Sequence, residues 1–131
     1  MVIIQGDIFW LDPGMPRGSG PGFRRPHVVV QNDVFNASPI RTTVLCAITS
    51  NLDRARAPGN VLLRKGEANL PLASVVNVSQ VITVDKSFLK EKIGTLSRQR
   101  IREVIVSLGL LLRPRDLPRT QRPERSPRSG Q

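Results

Sequence analysis

Along the first two thirds of the chain apolar positions gather in short runs rich in β-branched residues, at 8–11, 27–31, 43–49, 60–63 and 74–84, bounded by turn formers. Closely spaced short strands of this kind predict a twisted antiparallel sheet or small barrel. The 74–84 run is long for one straight strand, and a bend is expected near 78–80. Further on the period changes. Ile101, Val104, Ile105, Leu108 and Leu111 recur at helical spacing, while Arg98, Arg100, Arg102 and Glu103 mostly face elsewhere. The pattern predicts an amphipathic helix packed on the sheet, N-capped by Ser97 and stopped by Pro114. A membrane-surface helix is the weaker reading, because a small barrel needs its open side covered.

The chain has 131 residues, enough for one compact domain and too few for two ordinary ones. The ordered domain is expected over 1–112. Residues 113–131 hold six Arg, four Pro, two acids and no apolar residue but Leu117, so they cannot bury enough surface to offset chain entropy and are expected to form a disordered basic tail.

Charge narrows the partner. Twenty Lys and Arg against ten Asp and Glu give a net charge of +10. Six arginines against two acids put +4 on the tail, so +6 remains on the core. A polyanion, nucleic acid above all, is favoured over an anionic membrane or an acidic protein. Aromatics are only 4%, with no Tyr and one Trp, which argues against a platform that binds RNA mainly by stacking. The opening residues lack the basic start and apolar run of a secretory signal. The longest apolar stretch, 104–112, falls well short of the roughly 20 residues of a bilayer span. A soluble, cytoplasmic protein is expected. Cys46 and His27 are each the sole residue of their type, so neither an intrachain disulfide nor a Cys/His metal site is expected.

Between the first two predicted strands lie fourteen residues, 13–26, with four Gly, four Pro and three Arg. A connection this long inside a compact domain points to function. Glycine lets backbone approach a ligand, and Arg17, Arg24 and Arg25 offer forked donors to phosphate oxygens. A linker built of turn residues would share this composition.

The runs Gly6-Asp7-Ile8, Arg17-Gly18-Ser19 and Arg25-Pro26-His27-Val28-Val29-Val30-Gln31-Asn32-Asp33 resemble the opening of the MazF/PemK toxin family. Ala47-Ile48-Thr49 resembles that family's strand ending in Thr. Ile82-Thr83-Val84-Asp85-Lys86, followed by Leu89-Lys90-Glu91-Lys92-Ile93-Gly94, continues the likeness in the same order. The resemblance implies a mainly β fold, an SH3-like small barrel of the CcdB/PemK type with a C-terminal helix. It also implies a homodimer that cuts single-stranded RNA at short sequences without a metal or other cofactor, restrained by a cognate antitoxin over the RNA groove. In that family the 2′-hydroxyl attacks the adjacent phosphorus, leaving a cyclic phosphate and a 5′-hydroxyl. The catalytic Arg and Thr map onto Arg25 and Thr49.

The residue chemistry agrees with this mapping. A positioned guanidinium stabilises charge building on the phosphorane oxygens, and since it holds its proton tightly, Arg25 suits charge stabilisation better than general base. Thr49, with Ser50 beside it, would orient the phosphate. Without the resemblance, Thr49 reads as a strand-end hydroxyl capping a turn. Arg17, Ser19, Arg24, Arg54 and Arg56 are expected to grip RNA, with Asn51 and Gln80 reading base edges. His27 stands where the family is usually aliphatic and reads as structural; Cys46 reads as an inert packed thiol. Two departures matter. Gly20-Pro21 replaces a Glu-Gln of the first loop, leaving the general base unassigned, and Ser79-Gln80 with Ile82 replaces a Glu-Gln and a following Arg, which points to a different cleavage sequence. The rival readings are a CcdB-like gyrase inhibitor on the same barrel and a basic RNA-binding barrel without activity.

Overall fold

A strand's side chains point alternately to its two faces, and this chain loads both with apolar groups. The computed structural model describes residues 2–12 and 24–116. Its six strands are β1 (Asp7–Leu11), β2 (Arg25–Val29), β3 (Thr42–Thr49), β4 (Val61–Leu63), β5 (Ser74–Asp85) and β6 (Glu91–Thr95). They form one antiparallel sheet in the order β4-β5-β3-β2-β1-β6. A short helix α1 (Asp33–Asn36) links β2 to β3, and α2 (Arg98–Leu111) follows β6. On one side of the sheet Ile8, Val28, Cys46, Ile48 and Val76 pack with Val104 and Leu108 of α2. On the other, Phe9, Val29, Leu45 and Leu89 form a second cluster.

The sheet curls until its β6 edge reaches the turn after β4. There Asn69 Nδ2 donates to the Ile93 carbonyl at 3.1 Å, and Ala68 and Asn69 hold positive φ angles of 52° and 64°. Gly94 lies so close to the Ala68 carbonyl that a Cβ at this position would stand 2.2 Å from its oxygen. This is the small curled barrel with a C-terminal helix that the sequence implied.

The recognisable motifs prove to be internal ties. Gly6, at φ +102°, passes close under Ile101. Asp7, 1% exposed, accepts from the Thr95 hydroxyl at 2.7 Å and pairs with Lys92 at 3.2 Å. Asn32 caps α1 through the Val34 N–H. Gln31, Asn36 and the buried Thr43 exchange side-chain hydrogen bonds.

Two expectations need correction. The 27–31 strand runs instead from Arg25 to Val29, because Arg25 and Pro26 already pair with β1, and Val30 and Gln31 both donate to the Val44 carbonyl before α1 begins. The helix face is narrower than its periodicity: Val104 and Leu108 are buried, but Ile105 and Leu111 are exposed, as are Val106, Leu110 and Leu112. The helix rests on β5 and β4, with Ile101 packed beside Val104 and Leu108. Across 70–78, Leu70, Val75, Val76 and Val78 lie in the protomer's own core, while Pro71 and Leu72 are exposed. Ser97 does cap α2, accepting from the Arg100 N–H at 3.2 Å. No helix among the described residues is long and apolar enough to cross a membrane. The glycine-rich stretch up to Phe23 and the tail from Leu117 lie outside the described residues.

Candidate active site

Strand register brings the two principal residues together. His27 pairs with Ala47, Val28 with Cys46 and Val29 with Leu45. Continuing the same antiparallel step by two residues sets Arg25 against Thr49, and the period of two keeps Arg25, His27, Ala47 and Thr49 on one face. Asn77, paired with Ala47 from β5, joins that face. The bend expected in β5 supplies the far wall. Pairing jumps from Cys46–Val81 to Ala47–Asn77, leaving Val78, Ser79 and Gln80 without partners on β3.

The result is an open cleft of about 590 Å³ lined by Arg25, Thr49, Asn51, Arg54 and Gln80, all five anticipated from the sequence. His27, Ala47, Asn77, Ser79, Val81 and Ile82 complete it. Its charged lining residues among those described are Arg25 and Arg54, with no carboxylate beside them, so the cleft suits an anion.

Each polar group is held by a local device. Thr49 Oγ1 accepts from the Asn51 N–H at 3.1 Å, so it does cap the turn, and its own O–H remains to donate into the cleft. Asn51 caps the 3-10 turn Leu52–Arg56 by accepting from Asp53, which leaves its amide N–H groups as donors. The Asn60 side chain spans the cleft's two outer walls: Nδ2 donates to the Arg54 carbonyl at 2.9 Å and Oδ1 accepts from the Val78 N–H at 3.0 Å. Ser79 Oγ donates to Asn77 Oδ1 at 3.0 Å.

His27 is packed into the cleft floor, 2% exposed, with Nδ1 3.0 Å from the Arg25 carbonyl. Burial, opposed by that hydrogen bond and aided by the neighbouring Arg25 charge, lowers its pKa from 6.5, so it is neutral at pH 7. The Cys46 thiol faces the opposite core and is pushed up to about 11 by burial, in keeping with an inert packed thiol.

Other anticipated residues stand elsewhere. Arg24 stacks 5.1 Å over the Trp10 ring and pairs with Glu91. With Ser50 it borders a smaller hollow of about 240 Å³ that also includes Trp10, Leu70 and Leu72. Arg25 lines both hollows. Arg56 is exposed on its turn outside the cleft lining, and Arg17 and Ser19 lie outside the described residues. Sequence reasoning missed Asn60, Asn77 and the cleft position of His27. The His27 position follows from the period-two step from Arg25; the roles of the two asparagines depend on pairings between distant strands.

Residues 4–112 match the family described as PemK-like, MazF-like toxin of type II toxin-antitoxin system. The chain is 42% identical over 104 residues to Endoribonuclease MazF6 of Mycobacterium tuberculosis, covering 79% of this chain and 91% of that protein. Endoribonuclease MazF2 of Mycobacterium bovis matches to the same extent. The fold superposes on the crystal structure of MazF from Deinococcus radiodurans with a TM-score of 0.66, at 26% identity, covering 86% of this chain and 97% of that one. A MazE-MazF crystal structure from the same organism gives 0.63 at 25% identity, over 86% and 97% of the two chains. The chain belongs to the PemK-like, MazF-like toxin family of type II toxin-antitoxin systems.

Proposed function

We propose that this protein is an endoribonuclease toxin that cuts single-stranded RNA at the Arg25–Thr49 cleft. The observation that carries the reading is the meeting of Arg25, Thr49 and Arg54 in one open cleft with no carboxylate among its described lining residues, on a chain 42% identical to proteins named as endoribonucleases. A phosphodiester entering the cleft meets the Arg25 guanidinium and the Thr49 hydroxyl from facing strands. The 2′-oxygen attacks phosphorus in line, Arg25 stabilises charge on the non-bridging oxygens, and Thr49 fixes the phosphate orientation. The products are a 2′,3′-cyclic phosphate and a 5′-hydroxyl. Asn51 and Gln80 read base edges, while Arg54, and Arg56 beside it, hold neighbouring phosphates. Arg24 and Ser50 serve the adjoining hollow, and Arg17 and Ser19 add to RNA binding.

The protein acts in the cytoplasm as a homodimer, with the exposed apolar end of α2 offering contact area. A cognate antitoxin silences it by covering the cleft, a partnership supported by the MazE-MazF structure to which the fold is similar. The deciding experiment incubates the protein and its Arg25→Ala variant with a long single-stranded RNA in EDTA, mapping new ends. Cuts at one recurring short sequence with 5′-hydroxyl ends, lost in the variant, are expected. Intact RNA with the wild type would overturn the reading and favour a binding toxin.

A further inference from the structure

The mechanism above lacks a group to take the proton of the attacking 2′-hydroxyl, and a buried imidazole already lies on the cleft floor. His27 shares its sheet face with Arg25 and Thr49. Ala47, opposite it on β3, is too small to cover the ring, so what remains uncovered opens into the cleft. Among the described residues its other neighbours add little that ionises. Phe9 faces it from β1, Asn77 comes from β5, and the charged groups at hand are Arg25 on its own strand and Arg54 on the 3-10 turn.

The hydrogen bond at Nδ1 assigns the tautomer. A carbonyl oxygen only accepts, so the Arg25 carbonyl 3.0 Å away requires a proton on Nδ1. In the neutral ring Nε2 then carries the lone pair. Nε2 has no hydrogen-bond partner among the described residues, although the side chain is 2% exposed. A buried acceptor left open beside a phosphate site is a costly arrangement unless something fills it.

We propose that His27 is the general base of this cleft, its Nε2 accepting the proton of the RNA 2′-hydroxyl. The inference rests on the RNA-cleaving reading. As the O2′–P bond forms and the P–O5′ bond breaks, the proton passes from O2′ to Nε2. The departing O5′ takes a proton from a solvent water, and the imidazolium returns its own to the hydroxide so formed, with no net change in protons. Burial, aided by the Arg25 charge, keeps the ring neutral at pH 7, so it is in the accepting form without prior deprotonation. The Arg25 carbonyl fixes the ring's orientation, much as an orienting acceptor does for other catalytic histidines.

The test is single-turnover cleavage across about pH 4.5 to 8 by the wild type, His27→Gln, His27→Val and Arg25→Ala, spanning the histidine range. Wild-type rates should climb tenfold per pH unit and level off below pH 6.5, the ordinary histidine value. Both His27 variants should lose that acid limb and fall roughly 10²- to 10⁴-fold on the plateau. Affinity for a 2′-deoxy RNA that cannot be cut should stay within about twofold, since no phosphate contact is removed. Glutamine keeps a donor for the Arg25 carbonyl, so it separates lost chemistry from lost packing, with circular dichroism checking the fold. Nitrogen-15 shifts of the His27 ring supply a readout that needs no activity, and should report a proton on Nδ1 at pH 7. His27→Gln cutting at the wild-type rate, a slowed variant with the acid limb unmoved, or a proton on Nε2 would each overturn the proposal. A wild type that leaves RNA intact overturns the function itself. A wild type that cuts, an Arg25→Ala that does not, and a His27→Gln that cuts normally overturn this inference alone.

Discussion

Asn60 Oδ1 stands 3.0 Å from the Val78 nitrogen, at the first of three β5 residues that have no partner on β3. The bulge would otherwise strand this N–H, and the same amide holds the Arg54 carbonyl. Asn60→Ala should cost about 1–3 kcal/mol, the penalty of an unmade hydrogen bond at a shielded group. It should also slow RNA cleavage by loosening both the Ser79–Gln80 wall and the Arg54 turn. Asn60→Asp keeps the acceptor for Val78 but cannot donate to the Arg54 carbonyl, so it should recover only part of the stability. Urea denaturation with matched cleavage rates checks this; equal losses from Ala and Asp would refute the assigned role.

Thr49 should act through its hydroxyl. Thr49→Ser retains the Oγ that caps Asn51 and should cleave within roughly tenfold of wild type, while Thr49→Val should lose on the order of 10²-fold or more, as when one transition-state donor is removed. Product mapping must show the same cut site for the serine variant.

The contact that closes the sheet gives a paired prediction. Gly94→Ala places a methyl against the Ala68 carbonyl and should destabilise by about 1–3 kcal/mol through overpacking. Gly109→Ala meets nothing within 4 Å on the exposed side of α2 and should stabilise by up to about 1 kcal/mol through helix propensity. Urea midpoints shifting in the same direction would contradict the geometry.

Acid should weaken the fold in two windows. Arg100 donates to both oxygens of Glu67 at 2.6 and 3.2 Å, and chiefly for that reason the Glu67 carboxyl lies below its ordinary 4.5. A carboxyl with a depressed folded pKa adds stability that is present above its unfolded value and lost as pH falls through the folded one. Glu67→Gln should therefore flatten the decline below pH 4.5. His27 is a base with a depressed folded pKa, so the unfolded chain binds its proton first and stability drops as pH falls below 6.5. His27→Val should remove that upper window. Thermal melts from neutral pH into both ranges distinguish the two contributions.

The six arginines of residues 113–131 should act as a nonspecific electrostatic arm. Truncation after Leu112 should weaken RNA binding and reduce the salt slope by the share of phosphates the arm contacts, with the cut site unchanged. A moved cut site would refute that role.

The legibility of this chain follows the range of the interactions involved. Strands β1, β3, β4 and β5 announce themselves because burial, on both faces for most of them, gathers apolar and β-branched residues into short runs, and even the β5 bend lies where it was expected. Strand β6 leaves no such mark: Glu91 and Lys92 are exposed, Gly94 has no side chain, and pairing with β1 is carried by backbone. Helix α1 is too short for a period and is set by the Asn32 cap. Arg25 and Thr49 were legible through resemblance, yet their meeting depends on a register that only the paired strands reveal. Arg24 illustrates the opposite case. Its composition invited a phosphate contact, but its guanidinium is engaged by Trp10 and Glu91.

Arg24 and Arg25 adjoin in sequence, yet Arg24 stacks on Trp10 while Arg25 reaches the cleft beside Thr49, since side chains alternate with a period of two where β2 begins. Removing or adding one residue between Arg25 and Val28 would turn Arg25 away from Thr49 and bring its neighbour to the cleft. The register of β2 against β3 thereby sets which of two neighbouring arginines can stand beside Thr49.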